Sequence, residues 1–389
     1  MKVLMINVVC GIRSTGRICT DLAVALEQQG HEVKIAYGRE SVPRCLKKYA
    51  VRIGTELDTK MHGVTARLLD GAGFGSKRVT ENFIKWVKLY NPDVIHLHNI
   101  HGYYINVEVL FKYLKGCGKK IIWTLHDCWS FTGHCTYFDY AGCELWKTGC
   151  ERCPQIKEYP KSYIDRSTEN WNKKKNLFSD IPNMTIVTPS KWLAGLVEKS
   201  YLKDYPIDVI YNGIDTELFK PTYGRIKEKY NCQDRKVVLG VAAIWDKRKG
   251  LESFVKLAEV IDDSYQIILV GLNKEQITKL PKNIIGIERT NSVQELAELY
   301  TAADVFINPT IEDNYPTTNI EAIACGTPVI TYKTGGSVES ARMYGAIVEK
   351  DDIAGIMEAI KSAKEIKPNN IDINYHHTIQ KYLKLYEGR

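Results

Sequence analysis

The chain has 389 residues, 44% of them hydrophobic and 25% charged, with a formal net charge of +7. Such values belong to a soluble globular protein with material for two or three domains. No window approaches the eighteen or so unbroken apolar residues of a spanning helix, and no basic array interleaved with aromatics argues for nucleic acid.

In chain order, "KVLMINVV" reads as a buried first strand that turns into the glycine-containing loop "CGIRSTG". This start lacks the longer apolar core and cleavage site of a secretory signal, so a cytoplasmic location with reduced cysteines is expected. "RICTDLAVALEQQG" carries apolar residues at helical spacing and stops at Gly30, and "HEVKIAYG" follows as a strand. "PDVIHLHN", "KKIIWTLHD" and "NMTIVTPS" are further short strands ending in polar residues, the end at which α/β proteins place ligands. After "PIDVIYNGIDTELFKPT" the rhythm restarts, with strands "KVVLGVAAIWD", "SYQIILVG" and "ADVFINPT" between helices such as "ESFVKLAEVID" and "VQELAELYTAA". The alternation predicts an α/β protein of two Rossmann-like domains with parallel sheets covered by helices. The expected divisions are 1–206, with a cysteine-rich insertion near 128–154, then 207–372. A final helix within 373–389 is expected to pack back on the first domain.

The most informative segment is "EDNYPTTNIEAIACGTPVITYKTGG", which sets Asp313 and Glu321 eight residues apart around a loop-to-helix transition. "EAIACG" reads as opening a helix and "TPVI" as a buried strand. A carboxylate at a helix start at the mouth of a parallel sheet can accept sugar or ribose hydroxyls, and backbone N–H groups there suit a phosphate. Basic clusters at 112–120, 170–176 and 246–250 read either as solvated faces or as attraction for anionic head groups or phosphorylated substrates. The first loop is not a GxGxxG fingerprint, which weighs against a nicotinamide enzyme.

Four segments in order and spacing, "STGRICTDLAVALEQQGHEVKIAYG", "YNGID" with Phe219 and Pro221, "EAIACGTPVI" and "TGGSVE", resemble the retaining, nucleotide-sugar-dependent glycosyltransferases of the GT-B fold. The resemblance implies two Rossmann-like domains facing each other across a cleft, with a UDP- or GDP-sugar donor and no metal required for catalysis. It implies that Glu321 holds the donor's ribose hydroxyls and that Asp313, where the family usually has glutamate, lies near the donor sugar, with Glu312 the adjacent candidate. Lys249 matches the lysine that neutralises the leaving diphosphate. Ile244 stands where the family commonly has arginine, so Arg248 or Lys247 is expected to supply that cation. Asn314, Gly335 and Gly336 fall in the implied donor-binding region. The Gly11–Gly16 loop is expected to face the donor phosphates, with Arg13 and Arg17 toward phosphate or acceptor. His126, ending "KKIIWTLHD", matches the family's cleft histidine, which contacts the donor sugar or positions the acceptor.

More narrowly, "WTLHDCWSFTGHC…CELWKTGCERCP" and "DNYP" resemble colanic-acid-type exopolysaccharide glycosyltransferases. That implies an acceptor oligosaccharide on a polyprenyl diphosphate in exopolysaccharide or capsule assembly, with basic and aromatic residues of the first domain touching an anionic membrane surface. A GT-B-fold epimerase or hydrolase is the alternative enzyme, and a non-catalytic sugar- or zinc-binding scaffold the alternative from another class. The thiols leave three readings open. Cys135, Cys143, Cys150 and Cys153 have the spacing C-x7-C-x6-C-x2-C, whose last pair suits a structural zinc, with His134 as a substitute ligand. Reduced buried thiols come next, and disulfides last on compartment grounds.

Overall fold

A computed structural model of the chain describes residues 1–369 and 372–388. Two compact units divide it: Met1–Ile210 together with the residues from Ile379 onward, and Tyr211–Thr378. The first holds seven strands: β1 (Lys2–Ile6), β2 (Glu32–Tyr37), β3 (Ala50–Arg52), β4 (Val94–Leu97), β5 (Lys120–Thr124), β6 (Met184–Thr188) and β7 (Ile207–Val209). They lie in the order β3-β2-β1-β4-β5-β6-β7, every pair parallel. Between them run α1 (Arg13–Gln28), α2 (Glu56–Leu69), α3 (Lys77–Tyr90), α4 (Val107–Gly116), α5 (Ser167–Phe178) and α6 (Lys191–Val197).

The second unit repeats the plan with β8 (Lys236–Val241), β9 (Tyr265–Val270), β10 (Ile284–Ile287), β11 (Val305–Asn308), β12 (Val329–Tyr332) and β13 (Gly345–Val348). Their order is β10-β9-β8-β11-β12-β13, again wholly parallel. Its helices are α7 (Ile226–Lys229), α8 (Leu251–Val260), α9 (Lys274–Thr278), α10 (Val293–Ala302), α11 (Thr317–Ala324), α12 (Ser337–Ala341) and α13 (Ile353–Ser362). The last helix, α14 (Tyr375–Glu387), begins in this unit and ends in the first.

Helices on both faces explain why the strands are apolar without alternation. Val237 and Leu239 of β8 point into one core, and Val238 between them into the other. In the first unit, Phe111 of α4, Trp123 of β5 and Phe178 of α5 meet as an aromatic cluster with centroids 4.3–5.3 Å apart. The C-terminal helix fills a polar slot in the same unit. Tyr386 Oη lies 2.7 Å from His96 Nδ1, Tyr382 Oη 3.0 Å from Thr124 Oγ1, and Thr124 Oγ1 2.7 Å from His96 Nε2, all buried. In each sheet the strand order reverses beside the unit's first strand, at β1/β4 and β8/β11. Such a reversal leaves a crevice at the carboxyl ends of the strands, and the candidate residues lie on the loops that leave them or on the helices those loops open.

Candidate functional site

In the second unit, β8 leads into Asp246, whose side chain accepts the Lys249 N–H and caps a short 3₁₀ turn, Lys247–Lys249. Gly250 ends the turn in the left-handed conformation (φ +76°), where a Cβ would lie 2.2 Å from Pro309 O. This close approach packs the turn against the loop after β11. Arg248 donates from Nη1 to Glu312 O at 2.8 Å, and the Ile311 N–H donates to Arg248 O at 2.9 Å. Lys249 Nζ reaches Asp313 Oδ2 at 2.5 Å, and Arg248 Nη1 stands 3.8 Å from the same oxygen. Burial alone would raise the Asp313 carboxyl. The charges of Lys249 and Arg248, with hydrogen bonds from Lys249 and the Asn314 backbone, outweigh it and hold the group below the usual aspartate range.

The turn after β12 closes the cluster from the far side. The Gly336 N–H donates to Asp313 O at 3.1 Å, and Gly335 sits at φ +50° with its would-be Cβ 1.9 Å from that oxygen. Lys249, Arg248, Asp313, Gly335 and Gly336 are thus gathered at one switch point, with Asn314 buried next to Asp313. Glu321 differs from expectation. Helix α11 begins at Thr317, not at Glu321, so this carboxylate stands in the helix's second turn, buried and accepting from Tyr300 Oη at 3.0 Å. The rigid start "YP" explains the earlier boundary, because Pro316 at the N-cap already fixes a favourable φ for helix entry.

In the first unit, the loop after β1 is shorter than expected. Helix α1 starts at Arg13, so Gly16 is helical, and the Gly11 N–H donates back to Gly16 O at 3.1 Å. Gly11 is left-handed (φ +75°) and its Cβ would strike Leu46 at 2.4 Å. Arg13 pairs with Glu40 at 2.5 Å. Across the switch point, the buried Asn7 accepts the Asn99 N–H at 3.3 Å, tying this loop to the one after β4.

His126 follows β5, half-buried, with Nε2 at 3.0 Å from His98 Nδ1 and the rings stacked 5.3 Å apart. Burial pushes its pKa down to about 4, the nearby Asp127 opposing and His101 adding to the shift, so the ring is neutral at pH 7. His101 Nε2 meets Asp127 Oδ2 at 2.8 Å, and the Trp129 N–H holds the other carboxylate oxygen at 2.9 Å. The histidines on and after β4 escape a search for single strand-end residues. Their signal was the spacing H-x-H-x-x-H in "VIHLHNIH", which sets His96 on the buried strand β4, His98 just past its end, and His101 in the loop that follows. A small cavity is lined by His98, His101, His126 and Asp127 among others. A larger one, about 740 Å³, opens at the opposite edge of the sheet, against Lys120, Met184 and Pro206, where β5, β6 and β7 begin.

The cysteine-rich segment does not hold the expected metal site. Among the described residues no three His, Cys, Asp or Glu side chains are gathered to bind a metal ion. Cys135, Cys143, Cys150 and Cys153 instead pack against the core that contains Phe131, Phe138 and Trp146, and all eleven cysteines are free thiols. Cys150 Sγ accepts the Gly133 N–H at 3.2 Å, and Cys135 donates to Cys153, which lowers the Cys153 pKa to about 7. His134, the substitute ligand, spends Nδ1 on the buried Asp70 at 2.5 Å. Lys174, fully buried, braces the segment by donating to Trp129 O at 2.9 Å and Thr132 O at 3.1 Å.

Two doubly wound, wholly parallel units of seven and six strands are the α/β architecture of the GT-B glycosyltransferases. The chain belongs to Glycosyltransferase Family 4. That family's profile matches residues 15–218, and the profile of Glycosyl transferases group 1 matches residues 235–364. WcaC of Escherichia coli, a glycosyl transferase named for colanic acid biosynthesis, is 24% identical over 376 residues, 93% of this chain and 90% of the relative. The N,N'-diacetylbacillosaminyl-diphospho-undecaprenol alpha-1,3-N-acetylgalactosaminyltransferase of Campylobacter jejuni is 25% identical over 210 residues, 48% of this chain and 55% of the relative. The crystal structure of Anabaena HepE in complex with UDP superposes with a TM-score of 0.68 at 14% identity, covering 100% of both chains.

Proposed function

We propose that this glycosyltransferase moves a sugar, with retention of configuration, from a UDP- or GDP-sugar to an oligosaccharide carried on a polyprenyl diphosphate, in exopolysaccharide or capsule assembly. The observation that carries the reading is the Lys249–Arg248–Asp313 cluster at the β8/β11 switch point. In the proposed reaction the bond from the sugar C1 to the donor's β-phosphate oxygen breaks. The acceptor oxygen bonds C1 on the same face, and its proton passes to the departing phosphate. Negative charge grows on that phosphate as the bond opens. Lys249 and Arg248 are the cations placed to meet it, each such preorganised donor contributing about 3–4 kcal/mol. Asp313, held ionised, fixes Lys249 and faces the sugar hydroxyls, while Asn314, Gly335 and Gly336 line the donor. Glu321 takes the ribose hydroxyls. The Gly11–Gly16 turn approaches the donor phosphates, and His126 positions the sugar or acceptor as a neutral hydrogen-bonding group.

The colanic acid and undecaprenol-linked relatives support the acceptor class, and the UDP complex of a protein of the same fold supports the donor class. The site of action is then the cytoplasmic face of a membrane, with the enzyme attached peripherally. Among the described residues no helix is long and apolar enough to cross a bilayer. The test is product analysis by mass spectrometry after incubation with UDP- and GDP-sugars, with and without a polyprenyl-diphosphate-linked oligosaccharide. Glycosylated acceptor with the donor's anomeric configuration is the expected result. Free or epimerised sugar formed equally without acceptor would replace this reading with a hydrolase or epimerase.

A further inference from the structure

Helix α2 is built inside out for a soluble surface. Leu57, Met61, Val64 and Leu68 are 66%, 62%, 58% and 50% exposed. At 100° per residue their 4-3-4 spacing places all four within about 60° of arc, so they form one continuous stripe. The helix turns His62 and Ala66, on the opposite side, into the protein. It is nevertheless firmly formed: Thr55 and Asp58 make a capping box at its start. At its other end Ser162 Oγ and the Tyr163 N–H both donate to Arg67 O, which lays the segment carrying Tyr163 (68% exposed) and Ile164 (47%) beside the stripe.

The charges around this face point to its occupant. Lys60 and Arg67 share one flank of the stripe, about 70° and 90° from its centre by helix geometry, and both are exposed. The acids of the helix, Glu56 and Asp58, are confined to its first turn. The adjoining segment 157–166 carries Lys157, Lys161 and Arg166 against Glu158 and Asp165. The chain's +7 is also unevenly shared. Counted over sequence positions, the first unit holds 33 Lys and Arg against 22 Asp and Glu, net +11, and the second 20 against 24, net −4. An apolar helix face flanked by long cationic side chains on a basic unit matches an anionic bilayer surface, where the stripe enters the acyl boundary and the cations reach the head groups. A second copy of the same basic unit would bring like charges together on that face.

We propose that the α2 stripe, with Tyr163 and Ile164, is the surface by which the protein docks on an anionic membrane leaflet. This rests on the reading of a lipid-carried acceptor, but its test uses neither donor nor acceptor. The full chain is sedimented at low salt with phosphatidylcholine vesicles containing about a third phosphatidylglycerol, and with phosphatidylcholine alone. Wild type is expected to bind the anionic vesicles and to be released by salt. The exposed double change M61D/L68D is expected to lower the partition coefficient at least ~10-fold. Leu89→Asp, at an equally apolar position 86% exposed on α3, is expected to leave it unchanged. Unaltered thermal unfolding of both variants excludes misfolding as the cause of any loss. Equal sedimentation of M61D/L68D and wild type overturns the proposal. So does a lipid-free dimer in analytical ultracentrifugation that M61D/L68D disperses, which assigns the stripe to a second copy. Transfer to a detergent-dispersed acceptor should stay at the wild-type rate in M61D/L68D, and its loss would place α2 on the acceptor and overturn bilayer docking.

Discussion

Gly335→Ala is the substitution on which the donor-site geometry can be judged most sharply. The alanine Cβ would begin 1.9 Å from Asp313 O, and real Cβ contacts essentially never fall below 3.0 Å, so the loop must yield by the difference, 1.1 Å. That motion falls on the backbone carrying the Asp313 carboxylate, whose contact with Lys249 Nζ is only 2.5 Å long. A misplacement of about 1 Å in a catalytic constellation costs roughly 100-fold. The left-handed φ of +50° adds about 1–2 kcal/mol of backbone strain. The expected outcome is therefore a ~100-fold fall in kcat/KM by initial rates, with a loss of about 2 kcal/mol or more in urea unfolding. Gly326→Ala separates the two effects. It carries the same kind of strain at φ +85°, but its Cβ meets nothing nearer than Pro221 Cγ at 3.7 Å. It should lose about 1–2 kcal/mol of stability and keep its turnover. Wild-type kinetics for Gly335→Ala, or the same kinetic loss in both variants, would refute the proposed placement of Asp313.

Lys249→Met leaves the largely buried Asp313 with the weaker charge of Arg248 at 3.8 Å, and should cost about 2 kcal/mol of stability and nearly all activity. The double change Lys249→Met with Asp313→Asn should regain most of the stability but none of the turnover, as read by urea melts beside rate assays. His126→Ala is expected to lower turnover at least ~100-fold with an unchanged circular dichroism spectrum, and near-wild-type turnover would remove it from the reaction. Burial holds His62 at a pKa of about 4 and His96 at about 3, below the unperturbed 6.5. The unfolded chain therefore binds more protons between pH 6.5 and those values. Each histidine's contribution is complete above pH 6.5 and is lost as pH falls toward the folded value, roughly 2 kcal/mol apiece between pH 7 and 5. Urea midpoints measured across that interval should drop steeply, and His62→Gln should flatten the curve.

The parallel strands were legible because residues buried on both faces must be apolar throughout, as in "KVVLGV" and "YQIILV". Lys249 and Asp313 were legible as candidates through the family resemblance, and both lie in loops that follow strands, β8 and β11. Their contact was not, since they stand 64 positions apart and are brought together by strand order and by Gly250. The pairing of His98 with His126 joins loops from neighbouring strands β4 and β5, which spacing along the chain does not reveal. The start of α11 was misplaced because its cap is a proline, not one of the side chains that announce a helix. Cysteine spacing pointed to a metal, whereas thiols with that spacing pack equally well against Trp146 and Phe138. Intervals along a chain do not record the direction in which a sulfur atom points.

The tyrosines of α14 have a consequence for how the protein is made. His96 and Thr124 belong to strands synthesised before the second unit, yet their hydroxyl partners, Tyr386 and Tyr382, are synthesised only after the whole of it. Until then His96 and Thr124 have only each other, and the buried His96 Nδ1 lacks the partner that Tyr386 supplies, a hydrogen bond costly to leave unmade. The second unit, made entirely of internal sequence, can complete its fold earlier. The unit that begins first is thus expected to finish last, and a nascent chain stalled before residue 379 should show a protease-resistant second unit beside a first unit that is still open to cleavage.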